Sequence, residues 1–165
     1  MEEKQAGKTL TIGNVVLDNP FILAPMAGVT DLPFRVLCHE QGAGLVCMEM
    51  VSAKDIYYRN KNTEALMEIE SGERPVSLQL FGSDPELMGE MARQIEERPF
   101  DILDINMGCP VPKVAGSGDG SGLMRTPELA MKVLEAAIRG AGGKPVTVKM
   151  RLGWDKGSIN CIELG

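Results

Sequence analysis

A cysteine held between a glycine and a proline, Cys109 in the stretch DILDINMGCPVPK (residues 101–113), is the side chain whose chemistry most needs an explanation. Four roles are open to such a thiol: metal ligand, nucleophile, proton donor or inert packing. Cys38, Cys47, Cys109 and Cys161 show no CxxC spacing, and His39 is the only histidine, so a zinc site has little support. A nucleophilic thiol needs a base beside it, and the sequence places no histidine or second carboxylate to serve Cys109. A free thiol, with a pKa of about 8.5, is mostly protonated at neutral pH and can deliver a proton. Gly108 permits close backbone approach and Pro110 confines Cys109 to extended geometry, which partly presets the direction of the thiol. Proton donor and buried packing residue both remain.

Five apolar segments read as the strands that must position this loop: FILAP from Phe21, LVCMEM from Leu45, VSLQLF from Val76, DILDIN from Asp101 and VTVKMR from Val146. Helices alternate with them. TPELAMKVLEAAIRG has Thr126 as cap and Pro127 at the first helical position; Ala130, Val133, Leu134, Ala137 and Ile138 share one face, and Gly140 reads as the stop. SDPELMGEMARQIEE repeats the grammar with Asp84, Pro85 and an inward Met88, Met91 and Ile95. TDLPFRVLCHEQG predicts a shorter helix from Thr30, with Phe34, Leu37 and Cys38 at helical spacing and Gly42 ending it; Cys38 and His39 read as structural. Residues 52–71, with Tyr57 and Tyr58, read as a partly helical, solvated segment, and TLTIGNVVLD (residues 9–18) as a small hairpin turning at Gly13 and Asn14.

Strand–helix–strand order predicts an α/β fold with a parallel sheet, either doubly wound or part of a barrel. Alternation decides between them. Ser77 and Gln79, Asp104 and Asn106, and Thr147, Lys149 and Arg151 each lie opposite apolar neighbours, and Glu49 lies across from Met48 and Met50. A doubly wound sheet asks for apolar strands on both faces, whereas a barrel admits inward polar groups near its C-terminal mouth. A partial TIM (β/α)8 barrel with an N-terminal β-hairpin is therefore expected. Such a barrel takes about 250 residues, and five of its eight strands fit in these 165, so the chain reads as the N-terminal part of one. At that mouth Gln79, Asn106, Lys149 and Arg151 would converge with Pro25, Met26 and Cys109, a binding constellation. The segment AGSGDGSGLM (residues 115–124) fits no phosphate-loop pattern and reads as a mobile flap beside Cys109.

Composition narrows the partners. With 44% hydrophobic residues the chain can bury a core, and a net charge of -6 argues against gripping nucleic acid through bulk positive charge. MEEKQAGKTL lacks a secretory pattern and the run FILAPMAGV is too short to span a bilayer, so a soluble, cytoplasmic protein is expected.

Four motifs in order, APMAGVTDLPFR from Ala24, SLQLFG from Ser77, DINMGCPVPK from Asp104 and VTVKMRLGW from Val146, resemble the tRNA-dihydrouridine synthase family, most closely its bacterial B-type members. The resemblance runs from about residue 10 to Gly165. It implies an FMN-dependent β/α barrel followed by a helical tRNA-binding domain, an enzyme that reduces the C5=C6 bond of uridines in tRNA with NADPH. It further implies that Pro25, Met26 and Ala27 lie along the flavin, that Gln79 bonds its polar ring and that Lys149 sits near its pyrimidine edge. Cys109 would be the catalytic acid that protonates C5, and Asn106 and Arg151 would contact the substrate. The segment AGSGDGSGLM departs from the family pattern, with Gly122 where alanine is usual. The family's later strands and helical domain are not among these residues, so weak FMN binding by the isolated chain is expected, with a monomer as the full-length form. Two other readings are a dihydroorotate dehydrogenase-like FMN barrel, which the ordered motifs disfavour, and a noncatalytic RNA-binding module.

Overall fold

The computed structural model describes residues 9–165; residues 1–8, which carry most of the stretch read for a secretory pattern, lie outside the described residues. The hairpin forms as read: β1 (Leu10–Ile12) pairs antiparallel with β2 (Val15–Leu17) across a turn in which Gly13 has φ +58°. A Cβ on Gly13 would fall 2.6 Å from the Pro145 ring, so the turn also lies against the loop that follows the last long helix. Leu17, Leu45 and Ile102 bury together where the hairpin covers the N-terminal end of the main sheet.

That sheet holds β3 (Ile22–Leu23), β4 (Leu45–Ser52), β5 (Val76–Phe81), β6 (Ile102–Met107) and β7 (Val146–Met150), all parallel and neighbours in chain order. Ile22 and Pro25, on and just after one edge strand, line the same hollow of about 350 Å³ as Thr147 and Lys149 of the other edge strand. A flat sheet would hold those edges far apart; the sheet is curled into part of a barrel. The connecting helices are α1 (Leu32–Glu40), the short α2 (Ala53–Tyr57) and α3 (Lys61–Leu66), α4 (Pro85–Ile95), the single turn α5 (Pro112–Ala115) and α6 (Pro127–Gly140), with α7 (Cys161–Leu164) after β7. Tyr57 and Tyr58 are exposed, as the solvated reading of 52–71 expects.

Helix α4 follows its sequence pattern: Asp84 accepts from the Leu87 N–H, and Met88, Met91 and Ile95 are buried. Two helices depart from theirs. In α6 the buried stripe is Ala130, Val133, Ala136 and Ala137, while Ile138 is 59% exposed. The helix ends at Gly140 as read, and the chain turns just beyond it at Gly142 and Gly143, both at positive φ. Gly140 also permits contact with α4, because a Cβ there would stand 2.4 Å from the Gly89 carbonyl oxygen and 2.9 Å from Ala92 Cβ. Gly140→Ala, a favourable change in an isolated helix, is therefore expected to destabilise the protein by about 1–3 kcal/mol through overpacking, read as a fall in Tm of about 2–4 °C per kcal/mol.

In α1 the cap is Asp31, and Leu37 is half exposed. The side chain that turns inward is Arg35, 2% exposed, which pairs with the fully buried Glu73 at 2.6 Å. The guanidinium also donates to the carbonyls of Thr30 and Glu68, and Glu73 accepts from the Glu70 N–H. Nearly every charged hydrogen thus has a partner, as burial of a charge requires.

Candidate active site

The polar residues of the inner face form a connected chain. Thr147 Oγ1 donates to Asp104 Oδ1 at 2.7 Å, Gln79 Nε2 donates to Asp104 Oδ2 at 2.5 Å, and Asn106 Nδ2 donates to Gln79 Oε1 at 2.8 Å. Asn106 Oδ1 then accepts the backbone N–H groups of Gly108 at 3.1 Å and Cys109 at 2.9 Å. Arg151 Nε donates to the Gly108 carbonyl at 2.7 Å. The half-buried Cys109 thus stands on a loop fixed from β6 itself and from the end of β7. The loop also lies against β7: a Cβ on Gly108 would stand 3.4 Å from the Lys149 carbonyl oxygen, in ordinary contact.

The register of β4 against β5 shifts between Cys47 and Met50, so Met50, not Glu49, pairs with Gln79. This irregularity corrects the simple alternation read for LVCMEM. Met50 sulfur receives the second Asn106 amide hydrogen at 3.6 Å, and Glu49 Oε2 reaches across to the Gly28 N–H at 2.7 Å. An extra residue re-aims both side chains toward the mouth.

After β3 the chain turns at Met26, whose carbonyl accepts from the N–H groups of Val29 and Thr30. The buried Thr30 hydroxyl also accepts from Met26 N–H at 3.1 Å, and Arg35 holds the Thr30 carbonyl from beneath. Met26, 44% exposed, and Ala27 are presented outward, while Pro25 lines the hollow with Lys149. The structure therefore gathers Gln79, Asn106, Arg151 and Cys109 through hydrogen bonds. Pro25 and Lys149 meet at the hollow beside them, and Met26 and Ala27 stand on the neighbouring loop.

The segment 115–124 is not an open flap. Gly120–Arg125 forms a 3-10 turn in which Gly120, Ser121, Gly122, Leu123 and Met124 are all buried, and Ser121 N–H donates to the Cys109 carbonyl at 3.1 Å. Its glycines serve close packing: a Cβ on Gly122 would fall 2.7 Å from the Ala115 carbonyl oxygen, and Gly120, at φ +55°, sits against Cys109. Small residues there are the mark of a tight seat for the loop that carries the thiol.

Two buried acids face the hollow. Burial pushes the Asp104 carboxyl above its ordinary range, opposed by the hydrogen bonds from Gln79 and Thr147 and by the charge of Lys149. Burial, helped by the nearby Asp104, pushes the Cys47 thiol up to about 12. The unfolded thiol ionises near 9.0, so the folded state holds this proton more tightly, and its contribution to stability is lost as pH rises from about 9 toward 12. In the folded protein at pH 8, Cys47 is expected to resist iodoacetamide while Cys109 reacts, as read by peptide mapping; prompt labelling of Cys47 would contradict this placement. Asp104 and Thr147 were visible as inward polar positions but not as members of the site, although Asp104 lies two residues before Asn106 on the same face.

The family model of dihydrouridine synthase (Dus) matches residues 22–165. The chain belongs to the dihydrouridine synthase family. Relatives within it include a probable tRNA-dihydrouridine synthase of Rhodobacter capsulatus, 43% identical over 157 residues that cover 94% of this chain and 48% of that protein. The tRNA-dihydrouridine synthase B of Pseudomonas aeruginosa is 46% identical, covering 93% and 46%. This dihydrouridine synthase chain thus spans about half the length of the curated relatives it matches. Among solved structures, 6-hydroxypseudooxynicotine amine oxidase from Pseudomonas geniculata N1 superposes with a TM-score of 0.64 at 15% identity, covering 89% of this chain and 33% of that one. Histamine dehydrogenase from Rhizobium sp. 4-9 does so at 0.58 and 13%, covering 88% and 33%. At those identities the likeness concerns the fold alone, and it agrees with the partial barrel.

No helix of the described residues is long and apolar enough to cross a membrane. Among the described residues no three His, Cys, Asp or Glu side chains gather where they could hold a metal ion.

Proposed function

We propose that this chain is the thiol-bearing portion of a cytoplasmic tRNA-dihydrouridine synthase that reduces the C5=C6 bond of uridine, with FMN as cofactor and NADPH as reductant. One observation carries the reading: the Cys109 loop is pinned by Asn106 and Arg151 at the same strand ends that bear Gln79 and Lys149.

The donor set suits an isoalloxazine ring. Met26 and Ala27 offer an exposed apolar surface, Lys149 a cation, and Gln79 one amide hydrogen and one lone pair beyond those used by Asp104 and Asn106. When bound and reduced by NADPH, the flavin supplies a hydride for C6 of the uracil. Cys109 supplies the proton for C5: its S–H bond breaks as the C5–H bond forms, and the thiolate is reprotonated from solvent. Asn106, whose amide is already committed, serves the substrate through the loop it holds. Arg151 spends one of five donors on Gly108 and turns the others to substrate. A uridine in tRNA reaches this site only unstacked.

The test uses a protein of the relatives' full length, incubated with FMN, NADPH and unmodified tRNA, and measures dihydrouridine by nucleoside mass spectrometry. Formation of dihydrouridine is expected. Oxidation of free dihydroorotate without it would favour the other pyrimidine reductase reading, and salt-dependent tRNA binding without product the noncatalytic one.

A further inference from the structure

The hydrogen-bond chain on the inner face has a direction, and the direction is set at one end. Asn106 Oδ1 accepts two backbone N–H groups, so its Nδ2 must face Gln79. Gln79 must then present Oε1 to Asn106, which turns its Nε2 toward position 104. Only an acceptor can end the chain there, and the other oxygen of Asp104 takes the Thr147 hydroxyl. All the groups named lie on or beside three adjacent strands, and Asp104, Asn106, Ser77 and Gln79 are buried. Each amide therefore has a single orientation that pairs every partner, and a reversed amide would leave buried groups facing like groups.

We propose that Asp104 is a positioning residue: its carboxylate supplies the acceptor in which a hydrogen-bond relay, oriented by Asn106 and passed on by Gln79, must end for Asn106 to hold the backbone of Cys109. The inference deepens the reading above and rests on it for what the thiol does. Asp104 reaches the backbone N–H of Cys109 only through the two amides. The same polarity leaves Gln79 with a defined donor and a defined lone pair beyond those it shares with Asp104 and Asn106.

The relay can be frustrated and then reversed. Asn106→Asp keeps an acceptor for the two backbone N–H groups but sets a carboxylate oxygen against Gln79 Oε1, and turning Gln79 only moves the clash to Asp104. Asp104→Asn alone lets the chain run in its native sense and removes a buried charge. In the double variant the new amide at 104 donates to Gln79 Oε1, Gln79 Nε2 donates to the new carboxylate at 106, and every group is paired in the opposite sense. The readouts, taken on this chain, are Tm and the rate of Cys109 alkylation by iodoacetamide resolved by peptide mapping.

Asn106→Asp is expected to lower Tm and to speed Cys109 labelling on the order of tenfold, a coupling typical of groups that share one hydrogen-bond network. Asp104→Asn should hold Tm at or above the parent value. The double variant should return labelling to within about twofold of the parent, and should recover a folded protein even if Asn106→Asp does not fold. Additive effects, or a double variant no better than Asn106→Asp, would overturn the relay. Neither readout uses flavin or tRNA, so that result would leave the reductase reading standing, and absence of dihydrouridine would leave the relay standing.

Discussion

Replacing Cys109 with Ala in a protein of the relatives' full length is expected to slow dihydrouridine formation on tRNA by about 10²–10⁴-fold, the usual worth of a positioned general acid. Reduction of the flavin by NADPH should keep its rate, because that half-reaction needs no proton at C5. The substitution itself is mild for the fold. Cys109 is only half buried, and the loop is held by its backbone: its N–H donates to Asn106, its carbonyl accepts from Ser121, and the preceding carbonyl accepts from Arg151. An alanine keeps all three bonds, so Tm should scarcely move. Rapid-mixing absorbance separates the two half-reactions, and equal turnover on tRNA by the variant would remove Cys109 from the chemistry.

Glu73→Ala is expected to be the most damaging single change to stability, costing about 3–5 kcal/mol, because it strands the guanidinium of Arg35 in a site without water. Both side chains are out of solvent, and Glu73 supplies two acceptors to Arg35 and one to the backbone at Glu70. Removal of both charges by Arg35→Met with Glu73→Leu should be far less harmful than removal of Glu73 alone, since the cost lies in the unpaired ion. Chemical denaturation of the three variants checks this, and a Glu73→Ala loss below about 1 kcal/mol would show that water reaches Arg35. The pair also supports the site. Arg35 carries the Thr30 carbonyl and Thr30 carries Met26, so the exposed Met26 platform should loosen together with the core.

Period alone located the strands: VSLQLF occupies Val76–Phe81 as read, and the other four strands begin within one residue of expectation. The inward polar face was legible for the same reason, as side chains two apart share a side. What escaped has no local signal. Arg35 sits in a helix whose apolar residues looked sufficient to define its buried face, and its partner lies 38 residues away. The shift in β4 appears only when the strand is laid against β5. Glycines mislead when read by composition: residues 115–124 looked like a flap, yet their glycines are places where backbones touch, and Gly140, which does end its helix, is a close contact as well. The Cys109 loop was legible because Gly108 and Pro110 constrain it locally, whereas Asp104's part in it passes through a glutamine on another strand.

The position of Asp104 also bears on the order in which the molecule assembles. Its hydrogen-bond partner on β5 lies 25 residues earlier in the chain, and its partner on β7 lies 43 residues later. Strands pair here in the order in which they are made, so a growing chain can add each one to a finished neighbour. When β6 docks, however, one oxygen of that carboxylate has found Gln79 and the other still needs water. Arrival of β7 covers the edge of β6 and delivers the Thr147 hydroxyl in the same event. The third and fifth strands of the sheet are thereby tied through a single carboxylate, whose needs only the finished sheet can meet.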